Sequence, residues 1–229
     1  MDLTSDAIWV TRDEPEGGRL SALLAERDVP IVHAPLVRLQ PLGDGGDAVS
    51  RLGPDDWLVL SSPRAVELVA EAVGARRPMV AVVGEMSASL ARARGFPVTF
   101  VSPSESSRGI WDHLRTHAGA GRVCFARSTR ATPPEDPPSG LEIVDLYDVV
   151  DLDVPSSVVD RVAAAVFTSR SAVESCVRQF GSVPVPAISI GPTTTAALRE
   201  AAADVAAEAE TRSLESIADA VADWRSGRW

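Results

Sequence analysis

Short apolar runs alternate with stretches of helical periodicity along nearly the whole chain. Ile8-Trp9-Val10 reads as a strand, and from Arg19 to Arg27 the leucines Leu20, Leu23 and Leu24 recur at i, i+3 and i+4, the spacing that lines one helix face. A second strand begins at Val29-Pro30-Ile31-Val32. The same pattern predicts strands at Trp57 to Leu60, Met79 to Val83, Val98 to Val101, Val123 to Ala126, Ile143 to Leu146, Ala165 to Phe167 and Ala187 to Ile190. Helices fall between them, at Ala65 to Val73, Ser87 to Arg94, Ile110 to His117, Ala172 to Phe180, Thr194 to Ala203 and Leu214 to Trp224. Strands alternating with helices of this length join in parallel through right-handed crossovers, so the predicted class is α/β with doubly wound parallel sheets.

The pattern also repeats. Leu58-Val59-Leu60-Ser61-Ser62-Pro63-Arg64-Ala65-Val66-Glu67 matches Ala165-Val166-Phe167-Thr168-Ser169-Arg170-Ser171-Ala172-Val173-Glu174 at an offset of 107 positions. That offset also carries Val83-Gly84 onto Ile190-Gly191, Ser87 onto Thr194 and Ile110 onto Ile217. A looser match relates Trp9-Val10-Thr11-Arg12 to Cys124-Phe125-Ala126-Arg127 at an offset of 115. A constant spacing sustained this long implies two related α/β units. Pro30 to Gly46 and Tyr147 to Pro155 are extended, and each follows a strand-helix-strand segment. Two crossings predict linkers at about 30–46 and 147–155, one discontinuous domain of residues 1–36 plus 154–229, and a second of residues 39–150.

Composition narrows the chemistry. At 229 residues with 45% hydrophobic and 24% charged positions, the chain has room for one large or two small cores. All 22 basic residues are arginine against 32 acids, a net charge of −10. Without lysine there is no phosphate loop ending in Gly-Lys-Ser, no Schiff base and no kinase-type strand lysine. Acids spread along the chain argue against a nucleic-acid partner. Cys124 and Cys176 show no metal spacing and read as buried small hydrophobes. The start, Met1-Asp2-Leu3-Thr4-Ser5-Asp6, lacks the basic and apolar segments of a signal peptide, and no apolar run is long enough for a membrane span. The cytoplasm is the expected location and a monomer the expected state.

Candidate chemistry gathers at the turns that follow strands. Ser61-Ser62-Pro63 and Gly84-Glu85-Met86-Ser87 lie in one repeat, Thr168-Ser169-Arg170-Ser171 and Gly191-Pro192-Thr193-Thr194 in the other. Each opens a predicted helix, where unpaired N–H groups and a partial positive charge suit carboxylates or phosphates. Plain N-capping by Ser and Thr is the competing reading. Arg12 and Arg127 end first strands, while Arg64 and Arg170 adjoin the Ser and Thr turns, so all four are candidates to pair with an acidic ligand. Tyr147 is the sole tyrosine and stands at a crossing between units, where its neutral phenol either packs on the linker or donates a proton to a departing oxygen. Gly43-Asp44-Gly45-Gly46-Asp47-Ala48 satisfies a dinucleotide-type spacing but follows Pro41 without a clean strand, and reads as a loop. His113 and His117, one helical turn apart on a face that looks exposed, read as solvated rather than metal-binding. No Gly-x-Ser-x-Gly elbow occurs for a serine nucleophile.

The order of these motifs resembles the uroporphyrinogen-III synthase family from Ile8 to about Trp224. Its marks are Val10-Thr11-Arg12, Trp57 to Val66, Ala81-Val82-Val83-Gly84 followed by Ser87-Ala88-Ser89-Leu90, Val166-Phe167-Thr168-Ser169 and Ile188 to Thr194. The resemblance implies two flavodoxin-like domains joined by a two-stranded linker, facing each other across a cleft. It implies closure of linear hydroxymethylbilane with inversion of the last ring through a spiro intermediate and loss of water, without a cofactor. It places Tyr147 at the family tyrosine that assists the departing hydroxyl, and Ser62, Ser87, Ser169, Thr193 and Thr194 at substrate-side turns. Ser61, Arg12, Arg64, Gly84, Arg127, Thr168, Arg170 and Gly191 complete the expected substrate-binding set. Departures from the family pattern are Asp13 where proline is common, Asp28 where glycine often follows the first helix, and Arg170 in place of a proline. A two-domain tetrapyrrole binder or regulator without catalysis is the alternative, which retention of Tyr147 and Gly191 to Thr194 disfavours. A paired phosphorelay receiver needs a strand lysine and an aspartate at a strand's end, whereas Asp55 and Asp56 precede theirs.

Overall fold

The computed structural model describes residues 6–43, 45–70, 72–73, 77–103 and 107–227. Met1 to Ser5, Asp44 of the glycine-rich segment and Glu71 of a predicted helix lie outside the described residues. Along the chain run β1 (Ala7–Val10), α1 (Arg19–Ala25), β2 (Ile31–His33), β3 (Val37–Pro41), α2 (Gly45–Ser50), β4 (Trp57–Leu60), α3 (Pro63–Ala70), β5 (Met79–Val83), α4 (Gly84–Ala93), β6 (Val98–Ser102) and α5 (Arg108–His117). Then come β7 (Val123–Ser128), β8 (Leu141–Asp151), β9 (Val162–Phe167), α6 (Arg170–Phe180), β10 (Ala187–Ser189), α7 (Pro192–Glu200), β11 (Val205–Glu208) and α8 (Leu214–Arg225). A short 3₁₀ turn, Ser156–Arg161, leads into β9.

Two compact units result. One holds the chain up to Leu39 and again from Val150 onward, the other Gln40–Val149. The first unit has a sheet of order β11-β10-β9-β1-β2, with every pairing parallel. Numbered within the unit, that is the 2-1-3-4-5 order of doubly wound flavodoxin-like sheets. Alternation along β1 sorts its side chains: Ile8 and Val10 join Leu20 and Leu24 of α1 and Ile217 and Val221 of α8 in one core layer. Trp9 points the other way, its ring set edge-on to Phe180 at the end of α6, 5.7 Å between centroids. Each fully buried aliphatic here stabilises by about 1.5–3 kcal/mol.

The second unit orders its strands β3-β8-β7-β4-β5-β6, parallel from β8 through β6. Its strands β8, β7, β4, β5 and β6 stand in the places of β2, β1, β9, β10 and β11. The chain enters this unit at the counterpart of β9 and supplies the counterparts of β1 and β2 last, a circular permutation of the same sheet. Trp57, Val59 and Phe125 of the strands pack in one layer against Ile110, Trp111 and Leu114 of α5. Strand β3 joins the edge beyond β8. The Leu152 N–H donates to the Leu36 carbonyl (2.9 Å) and the Leu42 N–H to the Leu146 carbonyl (2.8 Å). Numbers thus rise on one side of the ladder as they fall on the other, so β3 runs antiparallel to β8.

The α/β class and parallel sheets read from the sequence are those observed, with differences in detail. The Gly43 to Ala48 segment, read as a loop without a preceding strand, has β3 before it and carries helix α2 from Gly45. Strand β11 was not predicted, because Val205-Ala206-Ala207-Glu208 continues an alanine-rich stretch of helical composition. The face holding His113 is not simply solvated: His113 stacks on Phe100 at 4.1 Å and on His117 at 4.2 Å, and meets Trp57 edge-on at 5.6 Å. Burial, with a smaller contribution from the nearby His117, holds the His113 pKa below its ordinary value. Cys124 and Cys176 are buried, and loss of hydration pushes each thiol up to about 12, as expected of inert core residues. The departure at Asp28 also has an account. Its φ is +55°, the left-handed conformation that glycine takes most easily and that aspartate tolerates better than most residues.

Candidate functional site

In each sheet the strand order reverses once, between β1 and β9 in the first unit and between β7 and β4 in the second. Ligands of open α/β sheets bind outside the carboxyl ends of the strands at such reversals. Thr168 and Ser169 directly follow β9 and Arg12 lies just beyond β1; Ser61 and Ser62 directly follow β4, and Arg127 lies near the end of β7. Helices α3, α4, α6 and α7 start from this edge of their own sheets.

These helix starts divide into two kinds. Ser62 Oγ accepts from the Ala65 N–H at 3.1 Å and Ser169 Oγ accepts from the Ala172 N–H at 3.2 Å, so α3 and α6 are capped by their own serines. Helices α4 and α7 have no side-chain cap, opening instead at Gly84 and behind Gly191. Gly84 has φ +75°, and Gly191 has φ +157° with its backbone against Arg212, whose Cγ would lie 2.9 Å from any added Cβ. Ser87 and Thr194 are buried in the flanks of α4 and α7, whereas Thr193 is exposed in the first turn of α7. Arg212 Nη2 reaches Thr193 Oγ1 at 3.4 Å, laying a guanidinium across that turn.

Arg212 was not singled out from the sequence. Nothing in its spacing marks it; only the turn before α8 carries it to Gly191. Glu14 is a second unforeseen feature. Its carboxylate accepts from the Leu20 and Ser21 N–H groups at 3.1 and 2.8 Å, filling the start of α1 from within the chain.

The four arginines differ in availability. Arg64 pairs with Glu67 at 3.0 Å and Arg127 with Asp145 at 2.9 Å. Arg170, the departure from proline, forks onto Glu200 at 2.8 and 2.9 Å and thereby ties α6 to α7. Hydrogen bonding to Glu200 raises the Arg170 pKa and lowers that of its partner. Among the described residues, Arg12 has no carboxylate partner; it is exposed, with its carbonyl receiving the His33 Nε2–H at 2.9 Å.

Tyr147 lies on β8, opposite Ser128 of β7 in the parallel register. It is buried at 6% exposure, and its phenolic oxygen lies 2.9 Å from Ser62 Oγ. The only tyrosine of the chain therefore meets a serine that also caps a helix. Such a hydroxyl can hold a proton donor in one orientation while sparing its own proton for a developing anion. Among the described residues no group of three or more His, Cys, Asp and Glu gathers for a metal ion, and no helix is long and apolar enough to cross a membrane.

Residues 18–219 match the family model described as uroporphyrinogen-III synthase HemD. A uroporphyrinogen-III synthase from Synechococcus elongatus is 22% identical over an alignment covering 97% of this chain and 96% of that protein. Among solved structures, the wild-type uroporphyrinogen III synthase of Thermus thermophilus aligns at 16% identity over 98% of this chain and 99% of its own, with a TM-score of 0.58. A mutant of that enzyme reaches a TM-score of 0.67 at 16% identity, covering 96% of this chain and 100% of its own. The uroporphyrinogen-III synthetase of Helicobacter pylori gives 0.54 at 16% identity over 93% of this chain and 96% of its own.

Proposed function

This chain belongs to the uroporphyrinogen-III synthase family, and on that premise we propose that it closes hydroxymethylbilane into uroporphyrinogen III, inverting the last pyrrole ring. The observation that carries the reading is Tyr147, held 2.9 Å from Ser62 at the carboxyl edge of a doubly wound sheet. Tyr147 gives its proton to the departing hydroxyl, and the pyrrole nitrogen pushes out the oxygen to leave an azafulvene. The substituted carbon of the far ring attacks to form a spiro intermediate, which fragments and recloses. Water leaves with no net oxidation, so the enzyme is a lyase that requires no cofactor.

Binding falls to the helix starts and their arginine. A polycarboxylate suits exposed amide hydrogens, and the uncapped turns at Gly84 and Gly191, with Thr193 beside the latter, offer them without desolvating a lysine. Arg12, which among the described residues has no carboxylate partner, is the arginine we assign to the substrate. Ser61, Ser169, Thr168 and the flanking Ser87 and Thr194 shape these turns. Arg64, Arg127 and Arg170, engaged by Glu67, Asp145 and Glu200, act by holding them in place. In this reading the protein works as a monomer in the cytoplasm, without nucleic acid.

Because the bilane closes spontaneously to the uninverted isomer, catalysis consists largely of holding its two end rings in one geometry. The test is to supply fresh hydroxymethylbilane and resolve the product isomers. Predominance of the inverted isomer is expected. Only the uninverted isomer, formed at the uncatalysed rate, would overturn the proposal.

A further inference from the structure

Ser62 stands between two structural duties. Its Oγ accepts from the Ala65 N–H at 3.1 Å, satisfying one of the orphan donors at the start of α3, and lies 2.9 Å from the Tyr147 hydroxyl. A serine hydroxyl has one proton and two lone pairs. With one lone pair committed to Ala65, the oxygen can either receive the Tyr147 proton or turn its own proton toward the phenolic oxygen. Both states keep the helix cap. Tyr147 is buried at 6% exposure, so solvent is a poor source of a replacement donor. An oxygen that loses its proton here depends on a neighbour for stabilisation.

From this geometry we infer that Ser62 is a positioning residue that acts through Tyr147 rather than on the substrate. The inference rests on the reading of Tyr147 as the proton donor. As the hydroxymethyl C–O bond breaks, the Tyr147 proton moves to the departing oxygen and water forms. The pyrrole nitrogen lone pair supplies the electrons that complete the azafulvene. Tyr147 is left as a phenolate, and Ser62 Oγ–H donates to it until the proton released by the final ring closure restores the phenol. The helix start behind Ser62 supports the same charge, since its partial positive end lies on the side of the cap. Ser169, the counterpart of Ser62 at the offset of 107, caps α6 in the same way but bonds Ser171 Oγ at 3.1 Å, so the second duty belongs to Ser62 alone of the pair.

The test compares Ser62→Ala, Ser62→Thr and Tyr147→Phe in the full chain. Loss of a hydrogen bond to a charged oxygen predicts a fall in kcat of about tenfold or more for Ser62→Ala, with KM little changed and recovery in Ser62→Thr. Because the chain has one tyrosine, ¹³Cζ-labelled tyrosine gives a single resonance that reports the hydrogen bonding of Tyr147. That resonance should move in Ser62→Ala and return in Ser62→Thr. Thermal unfolding separates these effects from simple loss of the α3 cap. A raised KM with unchanged kcat would make Ser62 a substrate contact, and an unmoved resonance would remove the coupling; either result overturns the inference. Wild-type turnover in Tyr147→Phe would instead show that the assignment of the donor had failed, and absence of the inverted isomer from wild type that the reaction itself had.

Discussion

Two serines placed 107 positions apart do the same local job in the two units, and only one of them meets a tyrosine. Ser62 and Ser169 both cap the helix that follows the central strand. They part company over the strand farther along the sheet. In the first unit β2 is three residues long and ends at His33, whereas its counterpart β8 runs eleven residues and carries Tyr147 to the level of Ser62. The connections differ too. Helix α1 joins β1 to β2, while the equivalent segment from Ser128 to Leu141 contains Pro133, Pro134, Pro137 and Pro138 and forms no helix, as residues without an N–H and with a fixed φ dictate. The duplicated frame thus supplies helix starts twice, and the group assigned to chemistry arises where the duplication breaks down.

The largest expected effect tests that asymmetry directly. Tyr147→Phe should lower turnover by about a hundredfold, within the usual range for a general acid, while far-UV circular dichroism stays as in wild type. Equal rates would show the hydroxyl to be dispensable. Paired cap variants come next: Ser62→Ala and Ser169→Ala should each cost about 1 kcal/mol in denaturant unfolding, yet only the former should depress kcat. Parallel losses of kcat would erase the distinction between the units.

Asp56 sharpens the comparison at the opposite edge of the second sheet, where its carboxylate accepts from the Gly53 and Arg122 N–H groups, each at 2.9 Å, and from Arg122 Nη2 at 2.8 Å. The Arg122 guanidinium, aided by the backbone donors and opposed by burial, holds the Asp56 pKa down to about 2 from 3.8. A depressed carboxylate stabilises the fold above its unfolded pKa, and that contribution disappears as pH falls from about 4 toward 2. Since the Arg122 side chain is 48% exposed, screening limits the effect to about 1 kcal/mol or less. Asp56→Asn should lose this stability at neutral pH and flatten the acid limb of a stability-against-pH curve.

The glycine starts should then behave unequally. Gly84→Ala faces only backbone strain of about 1–2 kcal/mol, as among the described residues no atom outside its chain neighbours and the backbone of its own helix lies within 4 Å of the added carbon. Gly191→Ala should add displacement of Arg212 and a severalfold rise in KM, measurable in steady-state kinetics. The smallest change is Asp28→Gly. Relief of the left-handed conformation should raise stability by about 0.5–1 kcal/mol, seen as a Tm higher by a few degrees with turnover unchanged.

Much of the fold was legible because buried parallel strands must be apolar and their helices must carry one apolar face. The remaining elements are weakly patterned. Val205 to Glu208 looks like alanine-rich helix, although the offset of 107 from Val98 to Val101 points to the strand. Helix α2 begins among glycines that local propensity assigns to a loop. At the candidate site, Ser62 and Tyr147 stood out singly, but their contact joins residues 85 positions apart. The arginines illustrate the converse. Arg64, Arg127 and Arg170 looked equivalent to Arg12 until Glu67, Asp145 and Glu200 came within reach of them.

By itself the sequence determined the class of fold, the duplication and the residue types available at each turn, since periodicity and turn chemistry act over a few neighbouring positions. Tertiary structure decided which hydroxyl meets the tyrosine, which guanidinium keeps its charge unpaired and which helix start is already filled. Those outcomes depend on approaches of about 3 Å between groups far apart in the chain, a distance scale that sheet order and register control and that no local pattern encodes.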